Sequence, residues 1–281
     1  MDFLSPASWA DALAAKAEHP DAVPIAGGTD VMVELNFDRR RPPALLDLTR
    51  IAELAEHATE DGLIRIGAGV PYTRIITELG DRLPGLAQAS RTVGSPQIRN
   101  RGTVGGNLGS ASPAGDAHPP LLATGAVVEV ASVRGSRRVP VGEFFTGPKR
   151  SVLAADELIA AVLVPPAPGP QQFAKVGTRN AMVIAVCSVS VALDPQARTI
   201  GTGIGSAAPT PVRAVEAEAL AAELPWDDRG ELPRPLAERF GALVAAAASP
   251  IDDVRGTAAY RRHALAVLGR RALTWAWEEY R

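Results

Sequence analysis

The stretch "QIRNRGTVGGNLGSASPAGDAHPPLLA" (Gln97–Ala123) governs how the rest of the chain is read. It places two adjacent glycines, Gly105 and Gly106, behind a hydroxyl residue, Thr103, and reaches a lone acid at Asp116. Some eighty residues earlier, "AGGTDVMVEL" (26–35) repeats that chemistry with Gly27, Gly28, Thr29 and Asp30. Glycine permits positive φ and lets backbone N–H groups approach a ligand that side chains would hold off. Two such turns on either side of a cleft would grip a diphosphate with little positive charge, and Asp116 could accept from ribose hydroxyls. A plainer reading stays open on these residues alone. Paired glycines also mark ordinary turns, and Asp116 could complement a helix start behind Ser112 and Pro113.

Composition narrows the field. The 281 residues are 46% hydrophobic and 21% charged with a net charge of −2, as in ordinary globular proteins, and no basic field points to nucleic acid. The amino terminus lacks the basic and apolar regions of a signal peptide, and no apolar run is long enough for a bilayer, so a cytoplasmic protein without membrane contact is expected. Cys187 is the only cysteine, which leaves no ligand set for an iron–sulfur cluster or a zinc cage. In "AVCSVSVAL" it reads as a small buried thiol rather than a nucleophile. The four histidines show no metal-binding spacing, and neither a P-loop nor a serine elbow is present. "GTGIGS" (201–206) has its third glycine one place early for a dinucleotide turn and reads as a glycine-rich edge strand.

Along the chain, Ser5 with Pro6 suggests a capped first helix carrying Trp9 and Leu13 on one face. Strands are expected near 23–25, 44–49 and 63–70, helical spacing over 73–90 broken at Pro84, and a hairpin about Gly135. "DELIAAVLVP" ends at Pro165, and "PPAPGPQQ" (165–172) is too proline-rich for helix or central strand. Three antiparallel strands then precede three helical segments, with Tyr260, Ala264, Leu268 and Trp275 on one face of the last. The expected class is α+β, with residues 1–170 as one domain (subdomains about 1–53 and 54–170) and 171–281 as a second.

"AGGTD", the 97–123 stretch, "APTPVRAVEAE" and "DVRGTAAYRRHAL" together resemble, in order, the FAD-binding medium subunit of the molybdenum hydroxylases, the family of xanthine and carbon monoxide dehydrogenases. The resemblance implies a two-subdomain FAD-binding domain of the PCMH type, followed by a three-stranded antiparallel sheet and a helical bundle. It implies FAD as cofactor, with Ile25, Ala26, Gly27, Gly28, Thr29, Asp30 and Val31 as one wall of the groove. Thr103, Val104, Gly105, Gly106 and Asn107 would be the other, and Asp116 would hold the ribose. Ile159 and Lys175 match positions near the flavin, and Ile184 falls where relatives place a residue against the isoalloxazine ring. Val183 departs from the family, which usually has an acid there.

The implied activity is that of an oxidoreductase subunit. Electrons would arrive from [2Fe–2S] clusters of a small partner subunit, fed by a molybdopterin large subunit, and leave FAD for a small-molecule acceptor. The alternative is a stand-alone FAD-dependent dehydrogenase. Neither reading demands a catalytic side chain or a metal from this chain.

Overall fold

A computed structural model describes residues 1–281. The first layer holds β1 (Asp2–Leu4), α1 (Trp9–Glu18), β2 (Val23–Ile25), α2 (Val31–Asn36) and β3 (Ala44–Asp47). Its strands form a parallel sheet in the order β1-β3-β2. Pairing of Asp2–Leu4 with Ala44–Leu46 draws the amino terminus into a strand and delays the helix. Ser8, not Ser5, is therefore the N-cap, its Oγ accepting from the Asp11 amide at 3.1 Å.

The second layer runs through β4 (His57–Glu60), β5 (Leu63–Gly67), α3 (Tyr72–Glu78), α4 (Pro84–Arg91), α5 (Pro96–Arg99), α6 (Val104–Ser110) and α7 (His118–Ala123). It continues with β6 (Val127–Ser132), β7 (Gly135–Pro140), α8 (Val141–Phe144), β8 (Phe145–Gly147), β9 (Arg150–Ser151) and β10 (Leu158–Val164). Pro84 stands at the start of α4, where its missing N–H costs nothing. An antiparallel sheet of order β4-β5-β10-β6-β7 forms the centre. Every residue of β10, LIAAVLV, is buried, because paired strands flank it and its sheet is covered. Ile64, Ile66, Val128, Val130, Leu158 and Val162 share one core with Val104 and Leu108 of α6.

Beyond the proline-rich segment, β11 (Gln171–Val176), β12 (Cys187–Asp194) and β13 (Thr199–Gly205) form an antiparallel sheet with β13 at its edge. Helices α9 (Val215–Glu218), α10 (Arg234–Ala246) and α11 (Ala258–Tyr280) follow, with a separate core around Val189, Val191, Phe240, Leu265 and Trp277. On α11, Ala264 and Leu268 are buried as expected, but Tyr260 and Trp275 face out and Trp277 is the aromatic in the core. No helix is long and apolar enough to cross a membrane.

The two cores meet where β13 crosses α7. A side chain at Gly201 would collide with the Ala123 carbonyl, and one at Gly203 with the Pro119 carbonyl. The glycines of "GTGIGS" thus serve close packing, not a nucleotide turn. Thr202, between them, is fully buried, and its Oγ1 donates to Glu218 at 2.7 Å.

Candidate functional site

Strand β2 ends at Ile25 and the chain turns through Gly27 and Gly28, the latter at φ +74°, which favours glycine. Asp30 then stands at the N-cap of α2 without a side-chain capping bond. The amides of Gly27, Gly28, Thr29 and Asp30 make no hydrogen bond within the chain, so four successive donors remain available. The apolar run after them is helical, with Met32 and Val33 exposed.

The second glycine pair is built differently from expectation. Neither Gly105 nor Gly106 has positive φ; both lie in the first turn of α6, which Thr103 caps by accepting from the Gly106 amide at 2.9 Å. Gly106's own donor is therefore already used, whereas that of Gly105 has no partner within the chain. Gly105 is glycine because a Cβ there would lie 2.5 Å from that of Ala68. Gly106 faces open space, with only Thr103 Oγ1 near an added Cβ, at 3.2 Å.

The two segments touch. A Cβ on Gly27 would overlap the Arg101 carbonyl, and one on Gly102 would come within 3.5 Å of Thr29 Oγ1. Tyr72 locks the same place from α3, its amide donating to the Gly102 carbonyl at 3.0 Å. Its ring is 2% exposed and its phenol has no partner; burial first, then the charges of Asp116 and Asp30, push that phenol well above its ordinary range. Sequence reading passed over Tyr72, since a lone tyrosine at a helix start carries no signal.

Asp116 is buried beside this seam. Its Oδ2 accepts from Lys175 Nζ at 2.6 Å and from Thr92 Oγ1 at 3.3 Å, while Oδ1 is unpartnered. Burial pushes the carboxyl upward; the Lys175 charge and hydrogen bond, with a smaller share from Thr92, pull it back only in part. Lys175 comes from β11, so this ion pair crosses from one hydrophobic core to the other.

His118 Nε2 lies 3.1 Å from the Asn107 carbonyl, and its ring packs 4.5 Å from that of Phe145. Burial pushes it down to about 4, which makes it a neutral strut between α6 and α7. Asn107 Oδ1, like Asp116 Oδ1 and Tyr72 Oη, is buried without a partner. Arg99 braces its own loop, one terminal nitrogen donating to the Val93 and Gly94 carbonyls at 3.1 Å each.

Two further candidates lie on β10 and on the loop between β11 and β12. Ile159 is buried at a bulge in β10, where its Cδ1 would stand 3.7 Å from a Cβ on Gly109 of α6. Ile184 is 53% exposed on the 177–186 loop, beside a depression of about 490 Å³ lined by Thr178, Arg179, Met182, Val183 and Arg255. The Val183 carbonyl of that loop accepts from Lys175 at 3.2 Å. Cys187 is fully buried, and its thiol is pushed up to about 11 by burial.

A diphosphate-linked dinucleotide needs clustered neutral donors for its phosphates and acceptors for its sugar hydroxyls. Free amides on 27–30 and unpartnered acceptors on Asn107 and Asp116 supply both kinds, so the residues present suit such a cofactor.

Comparison with known proteins agrees. Residues 1–167 match the family model "FAD binding domain in molybdopterin dehydrogenase", and residues 172–276 match "CO dehydrogenase flavoprotein C-terminal domain". The chain belongs to the FAD-binding medium subunits of the molybdenum hydroxylases. It is 32% identical to the xanthine dehydrogenase FAD-binding subunit of Escherichia coli O157:H7, covering 98% of this chain and 97% of that one. To the nicotine 6-hydroxylase medium subunit of Paenarthrobacter nicotinovorans it is 31% identical, covering 98% and 96%. Among solved structures, carbon monoxide dehydrogenase from Hydrogenophaga pseudoflava superposes with a TM-score of 0.92 at 27% identity, over 100% of this chain and 98% of that one. The protein is a subunit of the oxidoreductase type, and its cofactor is FAD.

Proposed function

We propose that this chain is the electron-exit subunit of a molybdenum-hydroxylase complex. It takes electrons from the [2Fe–2S] clusters of a small subunit, fed by a molybdopterin large subunit, and delivers them through FAD to an external small-molecule acceptor. With one cysteine the chain cannot ligate those clusters itself, so the relay has to enter from a partner. Bound FAD supplies the chemistry of accepting electrons singly and releasing them as a pair.

The chain's own residues bind and orient. The amides of Gly27, Gly28, Thr29 and Asp30, between Ile25–Ala26 and Val31, with the Gly105 amide from the Thr103–Asn107 wall, would meet the diphosphate. Asp116 Oδ1 would accept from the ribose, and Ile159 and Ile184 would bound the ring. Residues 1–170 would form the FAD-binding unit and 171–281 the second unit, divided at the proline-rich segment. The observation that carries this reading is the run of free donors on 27–30 touching the segment that leads to the Asn107 acceptor.

The test begins with the purified chain: FAD is released on heating at close to one per chain. Anaerobic mixing with a pre-reduced iron–sulfur subunit then bleaches the flavin absorption. A colourless chain that takes up no FAD would overturn the groove assignment. Bleaching by small-molecule donors without any partner subunit would replace the relay with a stand-alone dehydrogenase.

A further inference from the structure

Tyr72 is a buried polar group to which the proposed relay gives no task. It opens α3, and the start of that helix is pinned to the second glycine wall at three successive residues. Pro71 forms an isolated β-bridge with Thr103, the Tyr72 amide donates to the Gly102 carbonyl at 3.0 Å, and Thr73 Oγ1 donates to Asn100 Oδ1 at 2.6 Å. The backbone that carries the phenol ring therefore has little freedom.

The ring is equally constrained. It packs in the core shared with Ile75, Val104 and Leu108. A Cβ added at Gly102 would lie 3.4 Å from Tyr72 Cδ2 and 3.5 Å from Thr29 Oγ1, so the ring and the first wall meet over the same face of Gly102. At the tip, Oη is buried with no hydrogen-bond partner in the chain. Phenylalanine would fill the position without that defect, and a hydroxyl buried without a partner costs free energy. Burial, and then the charges of Asp116 and Asp30, keep the phenol protonated, yet neither carboxylate accepts from it. A protonated phenol has an O–H to donate, so the partner it lacks is an acceptor.

We propose that Tyr72 is a further cofactor-binding residue, its Oη donating to an oxygen of the FAD diphosphate where the two glycine walls meet. This rests on the placement of the FAD groove between those walls. The free amides of Gly27, Gly28, Thr29, Asp30 and Gly105 are neutral donors from two segments, and Tyr72 adds a neutral donor from a third. The hydroxyl burdens the empty fold and is satisfied only by the ligand. Removing it should therefore move affinity and stability in opposite directions.

The experiment is Tyr72→Phe, which deletes one oxygen, in deflavinated full-length protein. The FAD dissociation constant should rise by about 10- to 100-fold, the usual size for a hydrogen bond to a charged group. The urea midpoint of the flavin-free variant should equal or exceed that of the parent, because the unpaired hydroxyl has gone. Phosphorus NMR of the FAD-loaded variant should show a displaced diphosphate resonance.

An affinity within about twofold of the parent would overturn the proposal. So would a lowered midpoint or a failure to fold, either of which would mean that the oxygen serves the fold. Weakened affinity with unmoved phosphorus resonances would place its partner away from the diphosphate and overturn it as well. If the parent chain itself takes up no FAD, the groove placement falls and this inference with it. A parent that binds FAD beside an unaffected Tyr72→Phe confines the failure to Tyr72.

Discussion

Gly27 lies directly beneath the carbonyl of Arg101, with no room for a methyl group between them. The two glycine segments noticed in the sequence are therefore one construction, joined backbone to backbone. Gly27→Ala has to part them, and the obstacle is main chain rather than a flexible side-chain tip. We expect a loss of about 1–3 kcal/mol in urea unfolding, together with a lower FAD content as purified. Unchanged stability would show that residues 26–30 and 101–102 are not in contact.

The second glycine pair allows a sharper contrast. Gly105→Ala would drive a Cβ to within 2.5 Å of Ala68, whereas Gly106→Ala would meet only Thr103 Oγ1 at 3.2 Å. The first should destabilise the fold by about 1–3 kcal/mol. The second should leave stability within about 1 kcal/mol of the parent while weakening FAD binding. Measuring both quantities on both variants separates packing from ligand approach.

His118 supplies a pH signature. Its folded value, about 4, lies below the ordinary 6.5, so between those values the unfolded chain binds a proton that the native protein refuses. Stability therefore falls as pH drops from about 6.5 towards about 4 and levels off below. Between about pH 7 and pH 5 the histidine accounts for a loss of about 2 kcal/mol. His118→Gln, which keeps a donor for the Asn107 carbonyl, should remove that portion of the pH dependence in denaturant titrations.

Cys187 should be silent towards alkylating reagents. Its sulfur is buried in β12 and its thiol is pushed up to about 11, so thiolate is scarce and inaccessible near neutral pH. Mass spectrometry after iodoacetamide treatment should show no adduct on native protein and one per chain in denaturant. Rapid native labelling would contradict the buried placement.

Local chemistry was enough to reveal much of this architecture. The prolines of 165–172, the apolar strand ending at Val164 and the three strands from Gln171 to Gly205 depend on neighbours close in sequence. The site's glycine segments were visible because glycine is conspicuous wherever backbone must approach something. Long-range partners were not visible. Ser5 looked like a helix cap until Ala44–Leu46 claimed Asp2–Leu4 as a strand. The ion pair of Lys175 with Asp116 was invisible because the lysine's acceptors lie 83, 59 and 8 residues away. Trp275 and Trp277 differ by two positions on one helix, and only the contact with Trp226 and Tyr280 decides which is inside. Tyr72 carried no local mark at all.

The contact of Gly201 and Gly203 with Ala123 and Pro119 limits how this protein can be recombined. A hybrid that takes everything after Pro170 from a relative must bring a strand bearing only hydrogen at both places. Otherwise the incoming sheet stands off α7, and the Lys175–Asp116 pair opens with it. The modules look interchangeable on paper, yet they fit like a key cut for one lock, and its teeth are two absent methyl groups.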